Sequence, residues 1–532
     1  MPSLRLVPFS ELTPAGALWL HDTAASRALE AQALAAHPPY TLMARAGLAV
    51  ARWTRALAPH ARHIWVAVGP GHNGGDGLAA AAHWAMAGCQ VTAFLWGHAK
   101  DLPPDAQTAF ASACKSGVQI QEGVALLPRP DTTDVKPDVV VDALLGLGHH
   151  RAPDERLRGW IAALNAWRKQ GLLLAIDVPT GLCSDHGTLL GAQAIEAHAT
   201  LSLLTLKPGL FTHSGRQHSG EIWFDGLATS AHPLPPAAGA TASLTSRALA
   251  RSLQAARPHQ SHKGSFGDVW VVGGATGMEG AATLAASAAL QAGAGRVLVA
   301  PLSGQREWAA RPELMWRSIS ELLNPGVVER ATVVCGCGGG NAVARVLPEL
   351  LQRAPRLVLD ADALNALSAD PALSRALSQR AGRQQLTLLT PHPLEAARLA
   401  HSDTAHIQHQ RLHSAQHLAA QTQACVVLKG SGTVVAQVGH LPWVNCSGNA
   451  RLSTPGSGDV LAGWLGGLWS QRPDTAPEHL SDLAAAVVWL HGCAAELADE
   501  ASARGSSALP LLASQLPDAM ARAVDALSAT RP

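Results

Sequence analysis

The 532-residue chain is 47% apolar and 15% charged, long enough for at least two domains that each bury a substantial core. Its 40 Lys and Arg against 39 Asp and Glu give a formal net charge of +1 with no dense basic run, so no field draws nucleic acid or an acidic membrane surface. No uninterrupted apolar stretch reaches about 18 residues, and the opening MPSLRLVPFSEL has no apolar core ahead of a small-residue cleavage site, so a soluble cytoplasmic protein is expected.

Residues 10–60 read as helices: 18–34 is alanine-rich with few breakers, and 41–57 is apolar with arginines spaced along it. The apolar run 64–68 then enters Gly69-Pro70-Gly71-His72-Asn73-Gly74-Gly75-Asp76-Gly77 and an alanine-rich helix. Strand, glycine loop, helix is the layout of a phosphate cradle, although the loop is not the dinucleotide fingerprint GxGxxG and a turn serving only packing would read the same way. Two further buried-type strands end in an acid and a glycine loop: Val139-Val140-Val141-Asp142 ahead of Gly146-Leu147-Gly148, and 172–176 ahead of Asp177-Val178-Pro179-Thr180-Gly181. In an open parallel sheet such strand ends face one crevice, so Asn73, Asp142 and Asp177 can converge. From 64 to about 224 apolar runs alternate with helical segments, the rhythm of a layered βαβ sheet. The stretch 227–243, rich in Pro, Ala and small polar residues, reads as a linker.

The second half repeats the alternation, with strands expected near Val269, Val297, Val333, Leu357, Leu386 and Val426. Between them lie His262-Lys263-Gly264-Ser265-Phe266-Gly267-Asp268, Gly336-Cys337-Gly338-Gly339-Gly340, Asp360-Ala361-Asp362, Thr390-Pro391-His392-Pro393-Leu394-Glu395 and Lys429-Gly430-Ser431-Gly432-Thr433. Last comes Gly456-Ser457-Gly458-Asp459 at the start of an apolar helix. Glycines let N–H groups approach an anion, a helix N-terminus adds positive potential, and a fixed carboxylate can act on a nearby hydroxyl, which together suggest nucleotide-dependent chemistry. Each has a plainer alternative: Asp459 or His392 as a helix cap, Lys429 as a solvated residue, Asp177 as a turn residue. The eight cysteines lack the spacing of a disulfide framework or zinc site, and the close pair Cys335 and Cys337 lacks CxxC spacing, so reduced structural thiols are expected.

From about residue 246 onward these motifs resemble the ADP- or ATP-dependent NAD(P)H-hydrate dehydratases, similar in fold to ribokinase-like sugar and vitamin kinases. The NGGDG half resembles the NAD(P)H-hydrate epimerases, and with both halves the chain resembles the bifunctional NAD(P)H-hydrate repair enzymes. The resemblance implies an α/β protein with an N-terminal Rossmann-like three-layer sandwich over residues 1–226, a linker over 227–245 and a ribokinase-like α/β domain over 246–532. It implies hydrated NADH and NADPH as substrates, with a hydroxyl at C6 of the nicotinamide ring. The first domain would exchange the R and S epimers; the second would dehydrate S at the expense of a nucleotide, ADP by likeness to bacterial enzymes of this arrangement, giving AMP and phosphate.

For the first domain the resemblance makes Asp177 the acid/base, with Lys207 as an electrostatic assistant. His72, Asn73, Gly74, Gly75, Asp76, Gly146, Gly148 and Arg151 become substrate contacts, Arg151 at the pyrophosphate, and Asn73, Asp142 and Thr180 ligands of a potassium ion. Thr180 stands where the family usually has serine and keeps its hydroxyl; His72 stands where the family commonly has asparagine. For the second domain it makes Asp459 the base and Ala281, Gly338, Gly340 and His392 dinucleotide contacts. Lys429, Gly430, Ser431, Gly432, Thr433 and Gly458 become the ADP/AMP site, and magnesium is expected with the nucleotide on ligands the sequence does not identify. A homo-oligomer is the expected assembly, with neither a nucleic-acid nor a membrane partner. The rival is a vitamin or sugar kinase with an accessory ligand-binding domain, which Gly-x-Gly-Asp alone fits equally and which the NGGDG half argues against.

Overall fold

The computed structural model describes residues 4–5, 18–228, 239–253, 257–304, 311–501 and 509–528. The chain divides into two compact α/β units, Met1–Ser243 and Leu244–Pro532.

In the first unit an eight-stranded sheet runs in the order Leu4–Arg5, Glu221–Asp225, Ala199–Leu203, Leu172–Ile176, Val139–Ala143, His63–Val68, Gln90–Leu95, Gln119–Gln121. All neighbours are parallel except Leu4–Arg5, which pairs antiparallel with Glu221–Asp225. Side chains of alternate residues go to opposite faces. Ile64, Val66, Val139 and Val141 join one core with Trp53 and Trp84, while Trp65, Ala67 and Val140 join another with Trp160 and Trp167. Both faces are thus covered, which is why these strands are apolar throughout and the unit is a three-layer sandwich. From His63–Val68 the chain first builds outward through Gln90–Leu95, then returns to build through Val139–Ala143 in the other direction. The crevice at that reversal lies beyond the carboxyl ends of the two central strands.

The expected helix over 18–34 starts later than its composition suggests. Leu18–Leu20 is a short strand, and the helix runs Thr23–Ala35 because Asp22 caps it, its carboxylate accepting the Ala25 amide at 2.8 Å. The second expected helix is Thr41–Leu57. Of the expected linker, residues 229–238 lie outside the described residues, and Ala242–Leu244 forms a buried strand. Residues 6–17, also read as helical from 10 onward, lie outside the described residues as well.

In the second unit the strands run Met315–Trp316, Arg296–Pro301, Asp268–Gly273, Thr332–Cys335, Arg356–Leu359, Leu386–Leu389, Cys425–Leu428, Val434–Ala436, Trp443–Val444. Pairing is parallel as far as Cys425–Leu428 and antiparallel over the last two steps. The order again reverses, here between Asp268–Gly273 and Thr332–Cys335. The helix Ser457–Ser470 lies tightly on Glu279–Gln291: a Cβ added at Gly463 would fall 2.0 Å from the Ala285 carbonyl oxygen, so only glycine permits the approach. That packing fixes where the helix begins, and with it Asp459. The stretch Pro477–Ala498 has the length and composition to cross a membrane, but 78% of its most apolar 18 residues are buried, as befits a core helix.

Candidate active sites

In the first unit the loops after the central strands enclose a cavity of about 400 Å³. Its walls include Asn73 and Asp76 from the first two turns of His72–Met86, Gly146 and Gly148 from the loop after Val139–Ala143, and Asp177 after Leu172–Ile176. Leu34, Leu42, Met43 and Leu203 give it an apolar side. Asp177 has φ 67°, a left-handed conformation that aspartate tolerates and that turns its carboxylate out of the strand direction. The Lys207 ammonium, 1% exposed, donates to Asp177 Oδ1 and also to the carbonyls of Leu203 at 2.8 Å and Thr205 at 2.9 Å. Asp177 Oδ2 accepts the Leu147 amide at 3.2 Å. Burial, then the Asp177 and Glu30 carboxylates, push the Asp76 carboxyl well above its ordinary range.

A Cβ at Gly146 would lie 3.2 Å from Asp177 Oδ2 and 3.3 Å from Asn73 Oδ1, so this backbone runs between the two side chains. Asp142, fully buried, accepts from the Thr180 hydroxyl and amide, each at 2.8 Å, and from the Leu144 amide at 3.1 Å. Burial outweighs these donors and raises its carboxyl to about 6. Asn73 Nδ2 is buried without a hydrogen-bond partner. His72 is exposed at the cavity edge. Gly74 and Gly75 face the protein: a Cβ would strike the Gly69 carbonyl at 2.1 Å or Met43 Cε at 2.5 Å, which makes close packing their visible role. Arg151 is exposed and does not line the cavity.

In the second unit Gly456, with φ 90°, turns the chain into the helix Ser457–Ser470, leaving Asp459 in its first turn. Cys337 Sγ, an Asp360 oxygen and an Asp459 oxygen all lie within 4.8 Å of one another. Burial, then Asp360, raise the Asp459 carboxyl to about 7, against the hydrogen bond from Cys337 and the charge of Lys429. Cys337, with no exposure, is held well above the ordinary thiol range by burial and then Asp459, so it stays protonated. Asp360 Oδ1 accepts from Lys429 Nζ at 2.7 Å and Thr390 Oγ1 at 2.8 Å. Burial alone would lower the Lys429 pKa, but Asp360 and Glu395 outweigh it and the value stands above the ordinary one. A Cβ at Gly458 would come 3.2 Å from Lys429 Nζ, so this glycine brings the helix start against the ammonium.

Gly430 and Ser431 are exposed, Gly432 is buried, and the Thr433 hydroxyl donates to the Gly430 carbonyl at 3.0 Å. His392 caps the helix Pro393–Leu399: its Nδ1 accepts the Leu394 amide at 3.1 Å, and Nε2 lies 3.2 Å from Glu395 Oε1. Its ring is nevertheless 47% exposed, so capping and ligand contact are compatible. Gly338 packs on Ala281, where a Cβ would lie 2.9 Å from that methyl, and the Gly340 amide donates to Asp362 Oδ2 at 2.8 Å.

Three supporting residues carry no motif signal. Arg411, 2% exposed, donates to the carbonyls of Leu428 and Lys429, each at 3.0 Å, and pins the base of the KGSGT loop. The His491 imidazole, held neutral by burial with a pKa of about 4, reaches the Ser457 carbonyl at 3.1 Å. Arg27, from the helix Thr23–Ala35, lines the first cavity beside Gly148. Only a side-chain contact across many residues gives each its place, and local spacing does not encode that.

Residues 269–518 match the family described as NAD(P)H-hydrate dehydratase, and residues 39–209 match YjeF-related protein N-terminus. The bifunctional NAD(P)H-hydrate repair enzyme of Coxiella burnetii is 36% identical over 482 residues, covering 89% of this chain and 93% of the relative. That of Escherichia coli is 35% identical over 483 residues, covering 89% of this chain and 88% of the relative. Among solved structures, the ADP/ATP-dependent NAD(P)H-hydrate dehydratase of Bacillus subtilis, crystallised with ATP and magnesium, aligns at 29% identity with a TM-score of 0.43 over 52% of this chain and 96% of its own. With relatives above 30% identity matched over most of both lengths, this chain belongs to the bifunctional NAD(P)H-hydrate repair enzymes.

Proposed function

We propose that the chain restores hydrated NADH and NADPH, exchanging the C6 epimers in the first unit and dehydrating the S form in the second at the expense of ADP. The observation that carries this reading is a carboxylate at each topological switch point with the surroundings its step needs: Asp177 on Lys207, and Asp459 near neutrality beside Lys429.

In the first unit C6 is a hemiaminal carbon: the ring nitrogen expels the hydroxyl to an iminium ion, and water returns to either face. Asp177 hands a proton to the departing oxygen and takes one from the returning water. Lys207 keeps the carboxylate aimed into the cavity, and the apolar wall shelters the iminium. Potassium fits the neighbouring oxygens. Asp142 is a buried carboxylate with only hydroxyl and amide donors, Thr180 offers its hydroxyl oxygen, and Asn73 offers its side-chain oxygen Oδ1. A bound ion would supply positive charge to hold Asp142 ionised and the loop in place.

In the second unit Asp459 takes the proton of the C6 hydroxyl as that oxygen attacks the β-phosphoryl group of ADP and AMP leaves. The C6–O bond then breaks to release phosphate, and loss of the C5 proton restores the ring double bond. Gly458 and Lys429 place an amide and an ammonium where the phosphoryl charge develops, with Gly430, Ser431, Gly432 and Thr433 around the rest of the nucleotide. Cys337, Asp360 and Asp459 do not suit magnesium, because the thiol is protonated and soft and Asp360 is already bonded to Lys429. Magnesium belongs on the nucleotide phosphates in this reading. A cytoplasmic location accords with eight free cysteines.

The test supplies purified protein with an epimeric mixture of hydrated NADPH and follows recovery of reduced-nicotinamide absorbance with ADP, with ATP and without nucleotide. Full recovery with ADP supports the whole reading, and ATP in its place corrects the donor. Recovery of the S form alone confines activity to the second unit. No recovery in any arm rejects repair in favour of a kinase.

A further inference from the structure

The substrate proposed above carries a diphosphate, yet the carboxylates of Glu30, Asp76, Asp105 and Asp177 all line the epimerase cavity. Lys207 offers no help to a phosphate. It is 1% exposed, and its ammonium is held by Asp177, Ser202 and the Leu203 and Thr205 carbonyls. Arg151, for which the family resemblance implied a pyrophosphate contact, is exposed and outside the lining. The remaining cation among the described lining residues is Arg27, exposed and with neither an ion pair nor a side-chain hydrogen bond.

The helix that carries Arg27 is fixed against the cavity. Ser26, Arg27, Glu30 and Leu34 line the cavity from one face of Thr23–Ala35, the spacing of successive helical turns. That helix is fastened at its start: the Thr23 amide and hydroxyl donate to Asp185 Oδ1 at 2.7 and 2.8 Å, and the Ser26 hydroxyl lies 2.8 Å from that of Thr205. The guanidinium lies over the glycine loop, for a Cβ at Gly148 would be 3.1 Å from Arg27 Nη2. An ammonium-free, glycine-bordered guanidinium at the mouth of an otherwise acidic cavity suits an oxyanion with two adjacent acceptor oxygens.

We infer that Arg27 is the diphosphate-binding residue of the epimerase cavity, anchoring the dinucleotide's phosphates while the hydrated ring reaches Asp177. The inference rests on the proposed epimerase activity and adds to it the group that recognises the charged part of the substrate. Arg27 touches no reacting atom, so its loss weakens binding and leaves turnover at saturation.

The test uses full-length protein with R-form hydrated NADPH and ADP, the chain's own dehydratase reporting each epimerised molecule, and the S form as a control in parallel. Arg27→Ala raises KM for the R form by roughly 10- to 100-fold with kcat within about twofold. Its KM also loses the rise with ionic strength that the wild type shows. Arg27→Lys, keeping charge without the fork, falls between the two. Recovery from the S form is unchanged in both variants. An unchanged KM in Arg27→Ala overturns the inference, and so does a loss confined to kcat. If Arg27→Ala loses the R-form reaction altogether, Arg27→Lys decides: partial recovery at raised KM supports the anchor, and equal loss in both rejects it. A wild type that recovers S but never R rejects the epimerase reading itself, an outcome visible before any variant is made.

Discussion

Asp177 follows the strand beside the reversal of its sheet, and Asp459 opens a helix that brings it against Cys337, just beyond a strand of the other reversal, but their electrical surroundings differ. Asp177 has an ammonium of its own, Lys207, buried with it. Asp459 faces Asp360, which already holds the Lys429 ammonium at 2.7 Å, and its carboxyl rises to about 7. The reactions proposed for them explain the difference. Epimerisation asks Asp177 to give a proton to the departing hydroxyl and take one from the returning water, with Lys207 holding its side chain in place, whereas removing a hydroxyl proton at neutral pH calls for a base whose pKa lies close to that pH. The two units share a class of fold and solve different problems with the company they give one residue type.

The sharpest way to break the comparison is to remove each carboxylate in turn. Asp459→Asn lowers dehydration about 10²- to 10⁴-fold while R and S forms continue to exchange, read by chromatography of the epimers. Asp177→Asn does the reverse, with S-form recovery intact. Lys207→Met goes further than lost activity. It strands a carboxylate whose side chain is 12% exposed, and it destabilises the first unit by about 3–5 kcal/mol in denaturant unfolding.

The pH dependence separates the two sites next. Asp459 must be ionised to accept a proton, so dehydration falls about tenfold per pH unit below about 7. Stability runs the other way. The folded pKa, about 7, lies above the ordinary 3.8, so the folded state binds this proton more tightly. The stability it contributes is fully present below about pH 4 and is lost as pH rises through about 7. Asp459→Asn therefore melts a few degrees above the wild type at pH 8, and the gap closes toward pH 4 in parallel thermal scans. Gly458→Ala has a smaller effect, because its Cβ meets a lysine terminus at 3.2 Å that can shift: roughly a tenfold rise in nucleotide KM with the R/S exchange untouched. The mildest is potassium in place of lithium, which raises the melting temperature of the first unit by a degree or two, an increment that Asp142→Asn abolishes.

Much of this was legible in the chain because it is local. Strands at 64–68, 139–141 and 172–176 announce themselves by apolar runs buried on both faces, and the glycine loops after them mark the sheet ends. The GSGD turn was legible for the same reason, being a helix start written in adjacent residues. Leu18–Leu20 was misread as helix since three apolar residues carry no period, and the cap at Asp22 outweighs the composition around it. Arg27 beside Gly148, Arg411 under the KGSGT loop and Cys337 against Asp459 are tertiary facts between distant residues. Gly74 and Gly75 teach the converse: a motif can hold its place through packing on Gly69 and Met43, whatever its neighbours bind.

The central claim is that one chain holds two sites, each complete around its own carboxylate. Mixing Asp177→Asn with Asp459→Asn in equal parts, supplied with R-form hydrated NADPH and ADP, tests it most directly. Because the substrate diffuses between molecules, the account predicts that the mixture recovers absorbance at about half the wild-type rate although neither variant alone does so. A mixture no faster than Asp177→Asn by itself would contradict it.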